Sequence, residues 1–412
     1  MAYIEDRWWQ EKKDPATKKV IRDTNGRPVM EKSPRYGKGD RYRVRWKLHG
    51  GKEDNKSFPD KQHKEAKAYK TYIENSLRTK KYVSPKAGDM TVREYAESYK
   101  NGRSPDERSR SSLDSLFACQ VYPFMGHMPL NEVALDGTVI RNWLAWMNNV
   151  SRIAVNYQHQ VWMNLSAMLD AAVVDGKIHR NPCKLGTISA PKSVQKLITP
   201  WTDEKLRGIH DSLPPEHQVV VPIGGGLGLR QGEILAFNQE DINRKDMTYH
   251  CRLQVTYING KLKFKLPKGH KTRIVPISDG TLYHIDYHCN LHPPVEVTLP
   301  WGENDSKETE TAKLILPYRG DTAWRGSMFL NQIWKPAFPI AGIPYTKRSD
   351  GMHALRHLYA SHMLASNVSI KELSVFLGHS SEAFTLRTYA HLMPSSYGRA
   401  RLAADTLFAP PA

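Results

Sequence analysis

The sequence has 412 residues, which suggests two or three domains, and its 40% of hydrophobic residues are enough to form a sizeable core. It contains no run of 18 apolar residues and begins with no apolar leader, so we expect neither a membrane span nor a signal peptide. Lys and Arg (60) outnumber Asp and Glu (42) by 18, a balance that favours a polyanionic partner over a neutral or cationic one.

The first predicted element is a half-buried strand over residues 41–48, where apolar and basic side chains alternate. Its polar side, called the basic face below, consists of Arg41, Arg43, Arg45 and Lys47. A short strand over 55–59 and a helix over 62–77 are expected to complete a small sheet with a helix laid on it. Residues 1–90 contain 24 Lys and Arg against 13 Asp and Glu, so this domain is predicted to bind DNA through the basic face. The alternative is a solvated edge strand whose charges prevent aggregation.

An all-α domain is predicted over residues 91–190, after a linker at 83–90. Thr91 and Glu94 have the spacing of a capping box, which marks the start of a helix. Further helices are expected over 113–122, 136–148 and 154–174.

The rest of the chain is assigned to one domain over 191–400 and a C-terminal tail at 401–412. Thr202 is the predicted N-cap of its first helix, because acidic residues follow it in the first turn. The four cysteines of the chain, Cys119, Cys183, Cys251 and Cys289, have no Cys-x-x-Cys spacing. This is typical of a reduced, cytoplasmic protein.

Four glycines between residues 224 and 228 precede Arg230. A phosphate-binding loop is not predicted, because its Gly-Lys-Ser/Thr end and its preceding strand are missing. We expect these glycines to allow close helix packing. Glu233 follows Arg230 by three residues, so its carboxylate can hold the guanidinium on one helix face, although such a pair is often only structural.

Two hairpins are predicted in this domain. The first spans residues 264–277 and places Lys268 beside its turn, where a lysine is usually only solvated. The second is an additional hairpin at about 295–320, to which no function is assigned.

Histidines recur at helical spacing twice. His353, Arg356 and His357 share one face of a predicted helix over 352–364, and this combination suits a phosphate better than a metal, because zinc-protease chemistry requires a His-Glu-x-x-His pattern. The second set could bind zinc, but a structural role is favoured because two prolines end the helix directly after it; it consists of His284, His288 and His292.

The stretch LGHSSEAFTLRTYAHL places His379 ten residues before Tyr389. Tyr389 either packs a helix against the core or attacks an electrophile. These residues alone leave both readings open.

Taken in order, Arg230, Lys268, HALRH (353–357), LGHSS (377–381) and TYAHL (388–392) resemble the tyrosine recombinases, the lambda-type phage integrase family. The resemblance covers the whole of the last domain and, more weakly, the two before it. It implies an N-terminal arm-binding domain of β-sheet and helix, an all-α core-binding domain of the SAM-like type, and a mainly α catalytic domain with a small β-sheet.

The resemblance also implies a role for each matching residue. A DNA phosphate would be surrounded by Arg230, Lys268, His353, Arg356 and His379. Tyr389 would be the nucleophile, His353 would accept its proton, and Lys268 would protonate the leaving 5′ oxygen. The arginines would stabilise charge on the non-bridging oxygens, with Glu233 holding the first of them and His357 in a supporting role. The 3′-phosphotyrosine product stores the bond energy, so no metal, ATP or other cofactor is expected.

We therefore expect a site-specific recombinase that integrates, and also excises, a phage or another integrative element, similar to the integrases of actinobacterial phages. Its partners would be double-stranded DNA attachment sites with core and arm sequences, its own copies in a homotetramer on DNA, and a host bending factor or a directionality factor. The alternatives are a transposase or resolvase of the same family, a type IB topoisomerase, and an architectural DNA-binding protein with an inactive catalytic domain. The filled catalytic positions disfavour the last.

Overall fold

The computed structural model describes residues 2–47, 53–79, 82, 84, 87–103, 107–194, 197–302, 307–393, 397, 401, 402 and 404. The chain folds into two compact units that divide close to residue 195. The finer division, with boundaries at residues 90 and 190 and a tail from 401, stays a prediction. Within the described part of the chain, no helix is both long and apolar enough to cross a membrane.

The first unit begins with an antiparallel sheet in the order β1–β4–β5. The strands of this sheet are β1 Ala2–Asp6, β4 Tyr42–Lys47 and β5 Glu53–Phe58, and they are followed by helix α1 His63–Arg78. Two further strands, β2 Trp9–Glu11 and β3 Met30–Lys32, form a separate hairpin. Val44 and Trp46 of β4 are buried against Ala66 and Ile73 of α1, as their alternation predicted. Residues 48–52, which include Leu48 of the predicted strand and the start of the following turn, lie outside the described residues.

The rest of the first unit is helical and has its own core. Its helices are α2 Val92–Asn101, α3 Glu107–Gln120, α4 Tyr122–Met125, α5 Leu130–Leu135, α6 Thr138–Asn149 and α7 Val155–Val174. The predicted capping box of Thr91 and Glu94 is present at the start of α2. Trp143 of α6 is completely buried in this core and donates from its indole N–H to the Gln120 carbonyl over 2.7 Å.

The second unit combines helices with small sheets. The helices are α8 Asp203–Ser212, α9 Val220–Leu227, α10 Gln231–Ile234, α11 Asp279–Leu291, α12 Gly326–Phe329, α13 Lys335–Ile340, α14 His353–Ala365, α15 Ile370–Leu377 and α16 Glu382–Tyr389. The strands are β6 Ile242–Asn243, β7 Thr248–Cys251, β8 Gln254–Ile258, β9 Lys261–Lys265, β10 Arg273–Pro276, β11 Val295–Pro300, β12 Thr309–Leu314, β13 Pro317–Tyr318 and β14 Thr322–Ala323. A π-helix, Leu330–Trp334, joins α12 to α13.

The glycine segment of α9 packs closely on α14, as predicted. A Cβ atom on Gly224 would lie 2.5 Å from the Cδ1 atom of Leu355, so any larger residue would force Leu355 to shift. The contact brings the end of α9, from which the chain continues to Arg230, next to the helix that begins with His353.

The predicted hairpin over residues 264–277 is wrong. Strand β9 pairs with β8, whereas β10 pairs with β7, so residues 266–272 form a connection between two sheets. The actual turn is at Asn259 and Gly260, which both have positive φ angles and join Ile258 to Lys261, as an Asn-Gly pair does in a two-residue hairpin. Lys268 lies in the connection and is exposed.

The additional hairpin consists of β11 and β12, in agreement with the prediction for this segment. It packs on the β8–β9 hairpin through a separate small core that includes Val255, Phe264, Val297, Leu299 and Leu314. The Gly302 N–H also donates to the Phe264 carbonyl over 2.9 Å. The insertion therefore supports β9, the strand that leads to Lys268.

Candidate active site

Arg230 and Glu233 lie together at the start of α10. Glu233 is completely buried, and its carboxylate accepts hydrogen bonds from Arg230 Nη1 (2.9 Å) and from the Arg230 backbone N–H (2.8 Å). A glutamate three residues after the N-cap reaches back to that N–H in this way at many helix starts. The contact expected from the sequence spacing is thus present.

A second guanidinium, that of Arg273 on β10, binds the same carboxylate. Its Nη1 and Nη2 atoms donate to the two Glu233 oxygens over 3.0 and 2.6 Å. Burial by itself would raise the pKa of Glu233, but the hydrogen bonds and charge of Arg273 and the charge of Arg230 outweigh it and lower the pKa to about 2. Glu233 is therefore ionised and shared between two arginines. Arg273 was not predicted as a site residue, although an arginine at an inward position of the alternating segment RIVPI was a usable signal.

The end of α15 supplies three successive backbone carbonyls, and each accepts a hydrogen bond from a different arginine. Arg273 Nε donates to the Phe376 oxygen (2.7 Å), Arg356 Nη2 to the Leu377 oxygen (2.5 Å), and Arg230 Nη2 to the Gly378 oxygen (2.8 Å). Gly378 has a left-handed conformation (φ 60°) and ends the helix. Because the last carbonyls of a helix are unpaired and partly negative, they are suitable acceptors for guanidinium groups. We call these three arginines the arginine cluster.

One buried donor of Arg356 has no hydrogen-bond partner among the described residues. Its side chain is 1% exposed, and Nη1 donates to the Gly228 carbonyl over 2.8 Å. Its Nε atom is buried and has no hydrogen-bond partner among the described residues. Burial and the nearby charge of Arg230 lower the pKa of Arg356 to about 9, so the guanidinium stays charged at neutral pH. A charged donor without a partner is costly to bury, and a bound anion would satisfy it.

Tyr389, the last residue of α16, is 1% exposed, and its hydroxyl lies 2.9 Å from the Nδ1 atom of His357. Burial raises the pKa of Tyr389 to about 12, although the charges of Arg356 and Arg230 oppose this. Burial and the charge of Arg356 lower the pKa of His357 to about 4, so this histidine is neutral at pH 7. A neutral ring with an unprotonated Nδ1 can accept the phenolic proton.

This arrangement differs from the predicted one, in which His353 accepted the proton. His353 and His357 lie one turn apart on α14, with ring centroids 4.6 Å apart, and it is the later of the two that reaches Tyr389. Partial burial and the charges of His357 and Arg356 lower the pKa of His353, although the residue is exposed at the surface.

His379 follows the three carbonyls directly. Its Nδ1 atom lies 2.7 Å from the buried Thr385 hydroxyl, and its ring is nearly parallel to that of Tyr389, at a centroid distance of 6.3 Å. Burial and the charges of Arg356 and Arg230 lower the pKa of His379 to about 3. Burial and, after it, the charges of the arginine cluster therefore keep the surrounding histidines neutral, and a bound anion would offset the part that comes from the charges.

The site combines a buried tyrosine, a neutral histidine on its hydroxyl, and charged donors aimed at one region. The phage integrase family matches residues 209–395, the segment that contains all these groups. A "Tyrosine recombinase XerC-like" protein of Caldanaerobacter subterraneus is 28% identical over 259 residues, which cover 59% of this chain and 64% of that protein. The integrase of Mycobacterium phage L5 is 22% identical over 311 residues, 73% of this chain and 75% of the relative.

Residues 209–395 therefore form a domain of the phage integrase family, the tyrosine recombinases. Enzymes of this family cut and rejoin DNA in site-specific recombination.

Solved structures of recombinases share the fold. The Tn1549 transposon integrase in complex with circular intermediate DNA has a TM-score of 0.64 at 15% identity, covering 77% of this chain and 99% of that one. A lambda integrase tetramer bound to a Holliday junction has a TM-score of 0.54 at 14% identity, covering 82% of this chain and 93% of that one. The small N-terminal sheet and the mainly helical C-terminal part of the recombinase agree with this architecture.

Lys268 of the recombinase is not part of the packed site. It lies in the exposed connection between β9 and β10, and no hydrogen bond or ion pair within the described ranges joins it to the arginine cluster. Its predicted role as the general acid stays a prediction.

The basic face of the recombinase is partly neutralised by its own carboxylates. Arg41 binds Asp6 and Asp60, both over 2.8 Å, and Arg45 binds Glu53 over 2.7 Å. The other two members are less engaged: Arg43 Nε donates to the Ser57 hydroxyl over 3.4 Å, and Lys47 lies 3.9 Å from Glu53. DNA contact by these residues stays a prediction, and Arg43 and Lys47 are the members best able to make it.

Of the three histidines at helical spacing on and directly after α11, His288 is the buried one. His288 is buried, and its Nε2 atom lies 2.9 Å from the Ile315 carbonyl, whereas His284 is exposed. The ring of His292 lies beside that of His288, with the centroids 5.0 Å apart and the planes tilted by 39°. In the part of the chain that the structure describes, no three His, Cys, Asp or Glu residues are placed to hold a metal ion.

Proposed function

We propose that the protein is the integrase of a phage or another integrative element, and that it joins and separates DNA through a 3′-phosphotyrosine at Tyr389. One observation carries the proposal: the Tyr389 hydroxyl is hydrogen-bonded to His357 beside the unpartnered Nε donor of Arg356. A nucleophile, its base and a donor for a phosphate oxygen thus lie together, as strand transfer requires.

Each cleavage step assigns one task to each group. The Tyr389 oxygen forms a bond to the scissile phosphorus while the bond from phosphorus to the 5′ oxygen breaks. The phenolic proton passes to His357, and Lys268 gives a proton to the leaving 5′ oxygen. The non-bridging oxygens receive hydrogen bonds from the cluster arginines Arg230 and Arg356, with His379 as a further donor and His353 beside them.

Rejoining is the same reaction in reverse, with a different 5′-hydroxyl as the attacking group. The phosphotyrosine retains the energy of the broken bond, so the second step needs no separate source of energy. Because the Tyr389 pKa is raised by burial, the proton transfer to His357 is essential for attack at neutral pH.

We assign the partners by analogy with the related complexes. Double-stranded DNA with core and arm sites would be the substrate, and four copies of the chain would assemble on it, as in the lambda integrase tetramer on a Holliday junction. Residues 1–90 would bind arm sites, 91–190 would bind core DNA, and 191–400 would catalyse the reaction in the bacterial cytoplasm, with a host bending factor or a directionality factor. If residues 1–90 bind arm DNA, deleting them should remove the steep salt dependence of binding to sequences flanking the core.

A transposon integrase is the second candidate, supported by the likeness to the Tn1549 enzyme. The relative from Mycobacterium phage L5 favours a phage element. Sequencing the junctions that the purified protein forms between a supercoiled circle bearing the element's ends and host genomic DNA separates the two, because a phage integrase requires one defined host site and a transposase accepts many.

The general proposal is tested with a nicked suicide duplex that carries the core sequence from the element's own ends. The wild-type protein should become covalently attached to the 3′ phosphate, and protease digestion with mass spectrometry should locate the DNA on Tyr389. An adduct on another residue, or none, would refute the proposal.

A further inference from the structure

Arg273 is a buried arginine whose side-chain donors are all used within the protein, unlike those of Arg356. Its side chain is 4% exposed, because it occupies an inward position of β10. Nη1 and Nη2 donate to Glu233, and Nε donates to the Phe376 carbonyl. All three of its nitrogen atoms are therefore engaged inside the protein.

These contacts join two segments that carry catalytic groups. Glu233 holds Arg230, and Phe376 lies three residues before His379 at the end of α15. The segments are 40 and 103 residues away from Arg273 in sequence, so no local structure fixes them relative to each other. Gly378 is also in contact with this side chain, since a Cβ atom there would lie 3.0 Å from the Arg273 Cδ atom.

We propose that Arg273 is a positioning residue for DNA cleavage, which keeps Arg230 and His379 aligned toward the scissile phosphate. The proposal rests on the proposed function, because it concerns the same reaction.

The charges support this role as well. Glu233 carries one negative charge and contacts two arginines, so one positive charge remains on the pair even though the carboxylate is bound. Without Arg273, Glu233 would neutralise Arg230 alone, and its second oxygen would lose its strongest donor. Arg230 would then be drawn toward the carboxylate and away from a phosphate oxygen.

Cleavage rates of variants test the proposal on the nicked suicide duplex. Arg273→Gln should slow single-turnover cleavage by about 100-fold, the order expected when a catalytic group is displaced by about 1 Å, while the affinity for the duplex stays the same. Arg273→Lys, which keeps a charge beside Glu233, should recover part of the rate. Arg252→Gln is the matched control, because Arg252 also bridges two carboxylates, Asp241 (2.8 Å) and Glu310 (2.6 Å), in the same unit.

A second substrate separates positioning from general stabilisation of the fold. A methylphosphonate at the scissile position replaces one charged oxygen by a neutral methyl group, so it requires less stabilisation by Arg230. The rate difference between wild type and Arg273→Gln should shrink by about tenfold or more on this substrate, as it should for Arg230→Ala. The difference between wild type and Arg252→Gln should be the same on both substrates.

Three results would overturn the inference. These are a wild-type rate in Arg273→Gln, an equal defect on both substrates, and a substrate dependence in Arg252→Gln that matches that of Arg273→Gln. If Arg273→Gln does not fold, the same comparison is made with Arg273→Lys, and an equal defect on both substrates counts against the inference. A wild-type protein that forms no adduct would instead refute the proposed function, and the inference with it.

Discussion

The arginine cluster and the Lys268 connection are both positively charged, but the fold holds them in opposite ways. Arg273 and Arg356 are buried and bonded to the backbone at the end of α15, whereas Lys268 is exposed in a segment between two sheets. The difference corresponds to their proposed tasks. Donors to non-bridging oxygens, such as Arg356, and a residue that positions them, such as Arg273, are most effective when they are fixed before the reaction, because no energy is then spent in orienting them. A proton donor must instead approach an oxygen that moves away as its bond breaks.

The largest effect on cleavage is expected from a change at Tyr389, the nucleophile on which the arginine cluster and Lys268 both depend. Tyr389→Phe should abolish covalent attachment to the suicide duplex and leave DNA binding close to that of the wild type, because only the nucleophilic oxygen is lost. Gel analysis of the adduct and a binding titration on the same duplex provide the two measurements. A persistent adduct in this variant would remove Tyr389 from the mechanism.

Lys268→Ala should slow cleavage of a normal phosphodiester by roughly 10²–10⁴-fold, the range for a positioned general acid. A 5′-bridging phosphorothiolate should restore the rate, since a thiolate leaves without a proton. The cleavage rate of Arg356→Ala should not be restored, because Arg356 acts on the non-bridging oxygens.

Lys271, exposed in the same connection, is the control. If Lys271→Ala is the variant that the phosphorothiolate rescues, the acid has to be reassigned, and rescue of neither would remove this role from the connection.

Substitutions in the arginine cluster and in the Lys268 connection should also differ in their effect on the free energy of unfolding. Glu233→Gln leaves two guanidinium groups without their counter-charge, and breaking a buried pair in this way costs about 3–5 kcal/mol of unfolding free energy. Lys268→Ala should leave the unfolding free energy unchanged, because the side chain is exposed. Chemical denaturation of the variants measures both values. Equal stability of Glu233→Gln and the wild type would contradict the description of the cluster as a fixed, interdependent unit.

A smaller effect is expected from the pH dependence of folding stability, through the protonation of His357. The pKa of His357 is lowered to about 4 in the folded protein, below its ordinary value near 6.5. Between these values the unfolded chain binds more protons, so stability should fall as the pH drops through this window. His357→Gln should reduce the fall in melting temperature between pH 7 and pH 5, whereas His284→Gln, on the exposed side of α11, should not. The same pH dependence in both variants would argue against a half-buried, neutral His357.

The sequence was sufficient wherever a contact follows from local spacing. The pairing of Arg230 with Glu233 follows from their spacing of three residues at the start of a helix. The inward side of β4 follows from the alternation of apolar and basic side chains. It was insufficient wherever a contact joins distant segments. Arg273 reaches Glu233 across 40 residues, and the spacing of the histidines on α14 could not decide which one contacts Tyr389, because both lie on the same face.

The failed hairpin has a different cause. The alternation around Lys268 is real, but it belongs to two strands that pair with other partners, and the Asn259–Gly260 turn determines the actual hairpin. Periodicity predicts that a segment is extended, and the turn residues determine which strands become neighbours.

The carbonyls at the end of α15 have a consequence for anyone who would transplant this site. Side-chain substitutions at Phe376 or Leu377 cannot remove acceptors that belong to the backbone, so alanine scanning would pass over them. A scaffold that copied only the catalytic side chains would lack the backbone carbonyl oxygens that accept hydrogen bonds from the guanidinium groups. A working graft would have to reproduce the path of the main chain through Gly378, including its left-handed turn, together with the side chains.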